Sequence, residues 1–196
     1  VDLMKRPAKK LRKQARTSEI VVETVTENGQ RKTLKALLDS GTTSGIILSK
    51  FVNKNRLSKF KTKPVKWSTL GGVYHTRKRG QVEISLPEFS LTKKITWTFH
   101  VDEQSNPELS QYDMIIGDDL MQELGIDLLY STDVPCIKWE HIEVPMKPRG
   151  SLTRESLKNL YSMHSEDPAI VKAAEKRRQV IYDADYSQPD LAEYCT

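Results

Sequence analysis

The chain has 196 residues, 37% hydrophobic and 29% charged, with a formal net charge of +5. That is enough for one domain of good size with tails, or two small ones, and apolar enough to bury a core. No apolar run reaches the length of a membrane span and no signal peptide opens the chain; two distant cysteines, Cys136 and Cys195, fit a reducing compartment and exclude both a disulfide framework and structural zinc.

The positive charge is local. Lys5, Arg6, Lys9, Lys10, Arg12, Lys13 and Arg16 fall in the first eighteen residues, opposed there only by Asp2. Without that stretch, 24 basic residues (31 less 7) face 25 acidic ones (26 less 1), a net charge of −1. Residues 1–18 therefore read as a basic linker or disordered arm, which could touch RNA weakly through phosphate contacts. The start at Val1 suggests a piece cut from something longer.

From Glu19 the pattern is β. Ile20 to Val25 leads to Asn28-Gly29, a strong hairpin signal, and the chain returns through Leu34, Ala36, Leu37 and Leu38. Asp39-Ser40-Gly41-Thr42-Thr43-Ser44-Gly45 is a turn of small, hydroxyl-bearing residues, with Gly41 free to take positive φ, and Ile46 to Leu48 opens the next strand. A carboxylate set between two buried apolar runs is costly unless its surroundings satisfy it, which marks Asp39 as a candidate catalytic group. A basic, loop-like stretch runs to Pro64. Val65 to Thr69 and Val73 to Thr76 form a second hairpin tipped by Leu70-Gly71-Gly72, and Gln81 to Leu86 and Ile95 to Val101 are further strands. Past a polar loop, Tyr112-Asp113-Met114-Ile115-Ile116-Gly117 leads into a short helix capped by Asp118 or Asp119 and stopped by Gly125. Ile126 to Tyr130 and Cys136 to Val144 return to strand, and Lys147-Pro148-Arg149-Gly150 is punctuation. Residues 147–196 read as a polar, partly helical linker without a core-facing stripe, dispensable for folding like residues 1–18. The expected domain is residues 19–146, all-β with one short helix.

The order Leu37-Leu38-Asp39-Ser40-Gly41-Thr42, glycine-tipped hairpin, Ile115-Ile116-Gly117, short helix and final strand resembles that of retropepsin-like aspartic proteases. The run Tyr112 to Met121, with Leu124-Gly125-Ile126, Trp139 and Val144-Pro145-Met146, is similar to the protease segment of gypsy-type LTR retrotransposon polyproteins. The resemblance implies a closed β barrel with a flap, active as a twofold homodimer without metal or cofactor. Its substrate would be a polypeptide, the chain's own polyprotein, and its place the cytoplasm or a virus-like particle, with no membrane partner. Asp39 would be the catalytic aspartate, one per subunit; Ser40, Gly41 and Thr42 would complete the loop, with Thr42 bonding across the dimer; Leu70, Gly71 and Gly72 would form the flap tip; Ile115, Ile116 and Gly117 would pack behind the loop. Strands at the two chain ends, here Ile20 to Val25 and Ile126 to Tyr130, would seal the dimer. Viral relatives often carry an arginine after Ile-Ile-Gly and an acidic residue four beyond the aspartate. Asp118 and Thr43 stand there instead, so that brace is missing.

The need for two copies also follows from the residues. Only one Asp-Ser/Thr-Gly occurs, since Asp113, Asp127 and Asp133 lack the following hydroxyl and glycine, and one carboxylate cannot be both base and acid. Two carboxylates ~3 Å apart at an effective dielectric of ~20 repel by about 5 kcal/mol, so the pair holds a single proton, as aspartic protease dyads do generally. Serine catalysis is disfavoured: neither Ser40 nor Ser44 sits in a Gly-x-Ser-x-Gly elbow, and His75, His100, His141 and His164 follow no triad spacing. Trp67, Trp97 and Trp139 read as core or groove wall. The competing reading is an inert or decayed module of the same fold, kept for dimerisation.

Overall fold

The computed structural model describes residues 15–26, 28–59, 64–69 and 72–161. The elements in chain order are β1 (Arg16–Thr17), β2 (Glu19–Val25), β3 (Arg31–Leu38), β4 (Ile46–Leu48), β5 (Leu57–Lys59), β6 (Val65–Thr69), β7 (Gly72–Thr76), β8 (Lys78–Ser85) and β9 (Ile95–Asp102). They continue as β10 (Met114–Ile116), α1 (Asp118–Leu124), β11 (Ile126–Leu129), β12 (Cys136–Trp139), β13 (Ile142–Pro145), β14 (Lys147–Pro148) and α2 (Arg154–Tyr161).

One sheet runs β2-β3-β10-β4-β9-β8-β5, and β2 pairs again with β8 at Glu23↔Ser85 and Thr24↔Ile84. That second pairing closes six strands into a barrel, with β5 outside it. Its interior holds Ile20, Val22, Leu34, Ala36, Leu38, Ile47, Ile84, Phe99, Met114 and Ile116, all 2% exposed or less. All six barrel strands contribute to this interior, and in β3 and β8 burial follows the two-residue period of a sheet with one wet face. The β2–β3 turn uses Gly29 at φ 73, the left-handed region that only glycine enters without strain.

Two pairings place the catalytic turn. β10 runs parallel to β3, with Ile115↔Leu37 and Ile116↔Leu38, and antiparallel to β4. β4 then runs parallel to β9. The segment leaving β3 thus crosses the end of β10 and re-enters the sheet as β4 on its other side. Strands β6 and β7 make a separate two-stranded ribbon, and β11, β12 and β13 a three-stranded sheet with β11 on one edge. Closed barrel, projecting ribbon and few helices together make a retropepsin-like fold.

Several expectations need correction. The loop-like stretch before Pro64 contains two 3-10 turns (residues 49–51 and 54–56) and β5. Cys136 to Val144 is two strands, folded back through Glu140 at φ 56. Gly117, not Asp118 or Asp119, is the N-cap of α1, with no side-chain cap bond, while Gly125 ends the helix at φ 68 as expected. Ile20 to Val25 is not a free terminal strand, because it pairs with β3 along its length and with β8 at Glu23 and Thr24.

Packing also extends past residues 19 and 146. β1 pairs with β14, Arg16↔Pro148 and Thr17↔Lys147, and Leu152 and Leu157 are buried against Val21 on the outside of the barrel. Lys147 is not punctuation: its side chain is 3% exposed and its ammonium is paired with the Glu88 carboxylate, itself 1% exposed. Glu88 also accepts from Val21 N (2.7 Å), and Lys147 Nζ donates to Glu19 O (3.3 Å). Arg154 bonds Asp113 (3.1 Å), Pro107 O and Ser110 O. Residues 1–14 and 162–196, the rest of the expected arm and linker, lie outside the described residues.

Candidate active site

Asp39 leaves the end of β3, half-buried, with its backbone already committed. Its N–H donates to Ile116 O at 3.0 Å and its carbonyl accepts from Thr42 N at 3.1 Å, closing a four-residue turn. The side chain is held from within the same turn: Oδ1 accepts from Gly41 N at 2.9 Å and Oδ2 from the Thr42 hydroxyl at 2.8 Å. Bonds to a charged acceptor are stronger than neutral ones, so the carboxylate is fixed in orientation by its own loop. Ser40 is exposed beside it. Gly41 leaves room for the carboxylate rather than supplying the positive φ that the sequence suggested. Its φ is not positive, but a Cβ there would lie 3.1 Å from Asp39 Oδ1. The Thr42 hydroxyl donates to Asp39 within the chain.

Ile115, Ile116 and Gly117 lie against the turn, with Asp39 N donating to Ile116 O. Ile116 is fully buried, and a Cβ on Gly117 would come within 2.6 Å of Ser44 C and 2.8 Å of both Ser44 O and Thr42 O. The turn and the start of α1 therefore share a contact that admits only hydrogen, and Asp118 N seals it by donating to Thr42 O at 2.7 Å. Asp118 and Asp119 sit in the first turn of α1, where carboxylates favour the helix dipole.

Other residues support this site without having stood out in the sequence. Ser18 Oγ donates to Leu38 O (2.7 Å) and Ser18 O accepts from Leu38 N (2.9 Å), continuing the ladder up to Asp39. Asp113, 2% exposed, accepts from Lys35 N at Oδ2 and from Leu48 N at its carbonyl, which fixes β10 between β3 and β4. Gly45 lies under the ring of Phe99. A carboxylate directly before the Met-Ile-Ile run was the available hint for Asp113; Ser18 had none.

The ribbon β6–β7 carries Gly72, paired with Thr69; Leu70 and Gly71, the expected flap tip with Gly72, lie outside the described residues. Its base is fastened by Thr76, which accepts from Trp67 Nε1 at 2.9 Å and lies 3.1 Å from His100 Nδ1. Having accepted from the indole, the hydroxyl can donate its own proton to Nδ1, which suits a neutral imidazole. Burial, with Arg79 nearby, lowers the His100 pKa, and Asp119 opposes the shift. Trp67 stands edge-on to His100, and Trp97 bonds Asp119 (3.3 Å).

An open concavity of about 490 Å³ adjoins the turn, lined by Ser40, Met121, Ile126, Leu128 and Tyr130 among others. The described part of the chain thus holds one oriented carboxylate, a separate two-stranded ribbon anchored at His100, and a hollow beside the turn lined by both apolar and acidic residues, Asp118 and Asp127 among them. Among the described residues, no group of three or more His, Cys, Asp or Glu could hold a metal, and no helix is long and apolar enough to cross a membrane.

No family model and no curated protein matches the chain. Among solved structures it is similar to the retroviral protease-like domain of Ddi1 from Leishmania major, at 16% identity and a TM-score of 0.45, over 71% of this chain and 100% of that one. At that distance the roles of the residues rest on this chain's own geometry.

Proposed function

We propose that the chain is an aspartic endopeptidase of the retropepsin type, acting as a homodimer on the polyprotein of a gypsy-type retrotransposon. The observation that carries the reading is the Asp39 turn: a carboxylate at a strand end, held by Gly41 N and Thr42 Oγ1 and locked from behind by Gly117. The polyprotein part rests on the sequence resemblance. In the proposed reaction two Asp39 carboxylates, one from each subunit, share a proton. The ionised one takes a proton from water as it attacks the peptide carbonyl, and the protonated one supplies a proton as the carbon–nitrogen bond breaks. The ribbon would close over an extended peptide held by backbone pairing.

What supports the dimer is the edge strand β11 and the hollow beside Ser40. Leu128 and Leu129 are half-buried and Tyr130 is 65% exposed, next to a strand edge that no other strand among the described residues pairs. A second β11 paired there would bring two Ser40-flanked turns together about a twofold axis. A stable interface of this kind buries about 2,000 Å² or more. Without the arginine brace, monomer and dimer should exchange at accessible concentrations. Specific activity should then rise with concentration in step with sedimentation, and constant activity on a monomer would refute the shared site.

The test of the reading is Asp39→Asn, which keeps the side chain's size and removes its charge. Cleavage of the surrounding polyprotein should disappear while thermal melting stays close to that of the parent. Cleavage by the variant would refute the assignment. A wild-type dimer that cleaves nothing would favour the inert module.

A further inference from the structure

The 43 residues from Ser40 to Val82 contain ten lysines and arginines and not one aspartate or glutamate. From Glu83 to Thr196 the balance is reversed, with 21 acidic residues against 11 basic. The near-neutral total outside residues 1–18 thus conceals two oppositely charged stretches of sequence, and the basic one includes the ribbon and the strand at the sheet's outer edge. Lys50 and Lys54 lie in the 3-10 turns before β5, while Lys66 and Arg77 flank the base of the ribbon. All four are exposed, and none takes part in any of the ion pairs among the described residues. The ladder β5–β8 sets Lys59 opposite Lys78, whose ammonium is held by Glu103. Lys50 sits over the ring of Phe51, 4.8 Å from its centroid; that ring is 9% exposed, so it supports a lysine and offers no face to a base.

We propose that this edge is a binding surface for single-stranded RNA, engaged through its phosphates. An acidic polypeptide is the competing partner, and the composition argues against it. Seven of the ten cations are lysines, the residue depleted from protein–protein interfaces, whereas a run of cations free of carboxylates suits a phosphate backbone. Lys66 pairs with His75, three positions before the last described pair of the ribbon at Thr69↔Gly72. That is about 10 Å of strand from the proposed peptide roof. Binding of this kind does not read bases, so it should be indifferent to sequence.

The experiment uses the full chain carrying Asp39→Asn, so that proteolysis plays no part, and a fluorescent 20-nucleotide oligouridylate followed by polarisation. With about four phosphates engaged, log affinity should fall with log salt at a slope of about −3, or roughly 50-fold between 50 and 200 mM. Replacing Lys50, Lys54, Lys66 and Arg77 by glutamate should abolish binding at 50 mM. Replacing the same four by glutamine, which guards against unfolding by reversed charge, should flatten the slope to near zero. Replacing the six basic residues between Lys5 and Lys13 by glutamine should leave at least half the slope. Binding lost with that last variant but kept with the first two would assign it to the arm and overturn the proposal. So would polyglutamate of equal length binding more tightly than the RNA, or an unmodified chain that binds no RNA at 50 mM.

Discussion

Lys147→Met is the sharpest test of where the folded unit ends. Methionine retains most of the aliphatic stem and removes the ammonium. Glu88 is then left 1% exposed with only the Val21 N–H as partner, and Glu19 O loses its donor at 3.3 Å. Breaking a buried pair from one side costs about 3–5 kcal/mol, because the remaining charge keeps its desolvation without its counter-ion. At about 2–4 °C per kcal/mol for a chain of this size, the melting temperature should drop by about 6–20 °C. Circular dichroism on wild type, Lys147→Met and Lys147→Met/Glu88→Gln would measure it. The double variant, neutral and still able to accept from Val21 N, should recover more than half the loss. A single variant melting within about 2 °C of wild type would mean that residues 147–157 rest on the barrel without stabilising it, and would restore 19–146 as a self-sufficient unit.

Further outcomes follow from the same contacts. Gly117→Ala drives a methyl into the backbone of Thr42 and Ser44; it should cost about 1–3 kcal/mol and lower activity further than melting alone accounts for, since the Asp39 turn must shift. For His100, burial lowers the folded pKa below the ordinary 6.5. Below about 6.5 the unfolded chain binds a proton that the folded one resists, so the site's contribution is present above that pH and is lost as pH falls towards the folded value. Melting curves at pH 7.5 and 5.5 should therefore diverge more for wild type than for His100→Gln, and equal divergence would refute the assignment.

Much of the barrel was legible where one face of a strand is wet: β3 and β8 alternate, and the Asn28-Gly29 turn fixes the register between β2 and β3. The Asp39 turn and its Ile115-Ile116-Gly117 backing were legible as contiguous motifs. What could not be read is what depends on partners far along the chain. Lys147 looks like a linker cation until Glu88, fifty-nine residues earlier, is placed beside it. Ser18 looks like the tail of a basic arm until its hydroxyl meets Leu38 O. Strand β5 lies in a run of lysines and is defined only by its ladder to β8. Gly117 and Asp118 traded roles at the helix start because the close contact with Ser44, invisible in sequence, admits no side chain at the cap.

The short ladder between β1 and β14 has a consequence for the chain on either side. Arg16 stands opposite Pro148, and Arg149 N bonds Ala15 O at 3.0 Å, so β14 brings the chain back to its point of entry. Neighbouring strand residues are about 5 Å apart, which means that more than 130 residues are looped out between two adjacent points of the backbone. The following helix then turns back onto that loop, with Leu152 and Leu157 buried against Val21 and Arg154 on Asp113, so the ladder works as a clasp and α2 as its tab. Inserted into an exposed loop of an unrelated host, the body should fold only with α2 included.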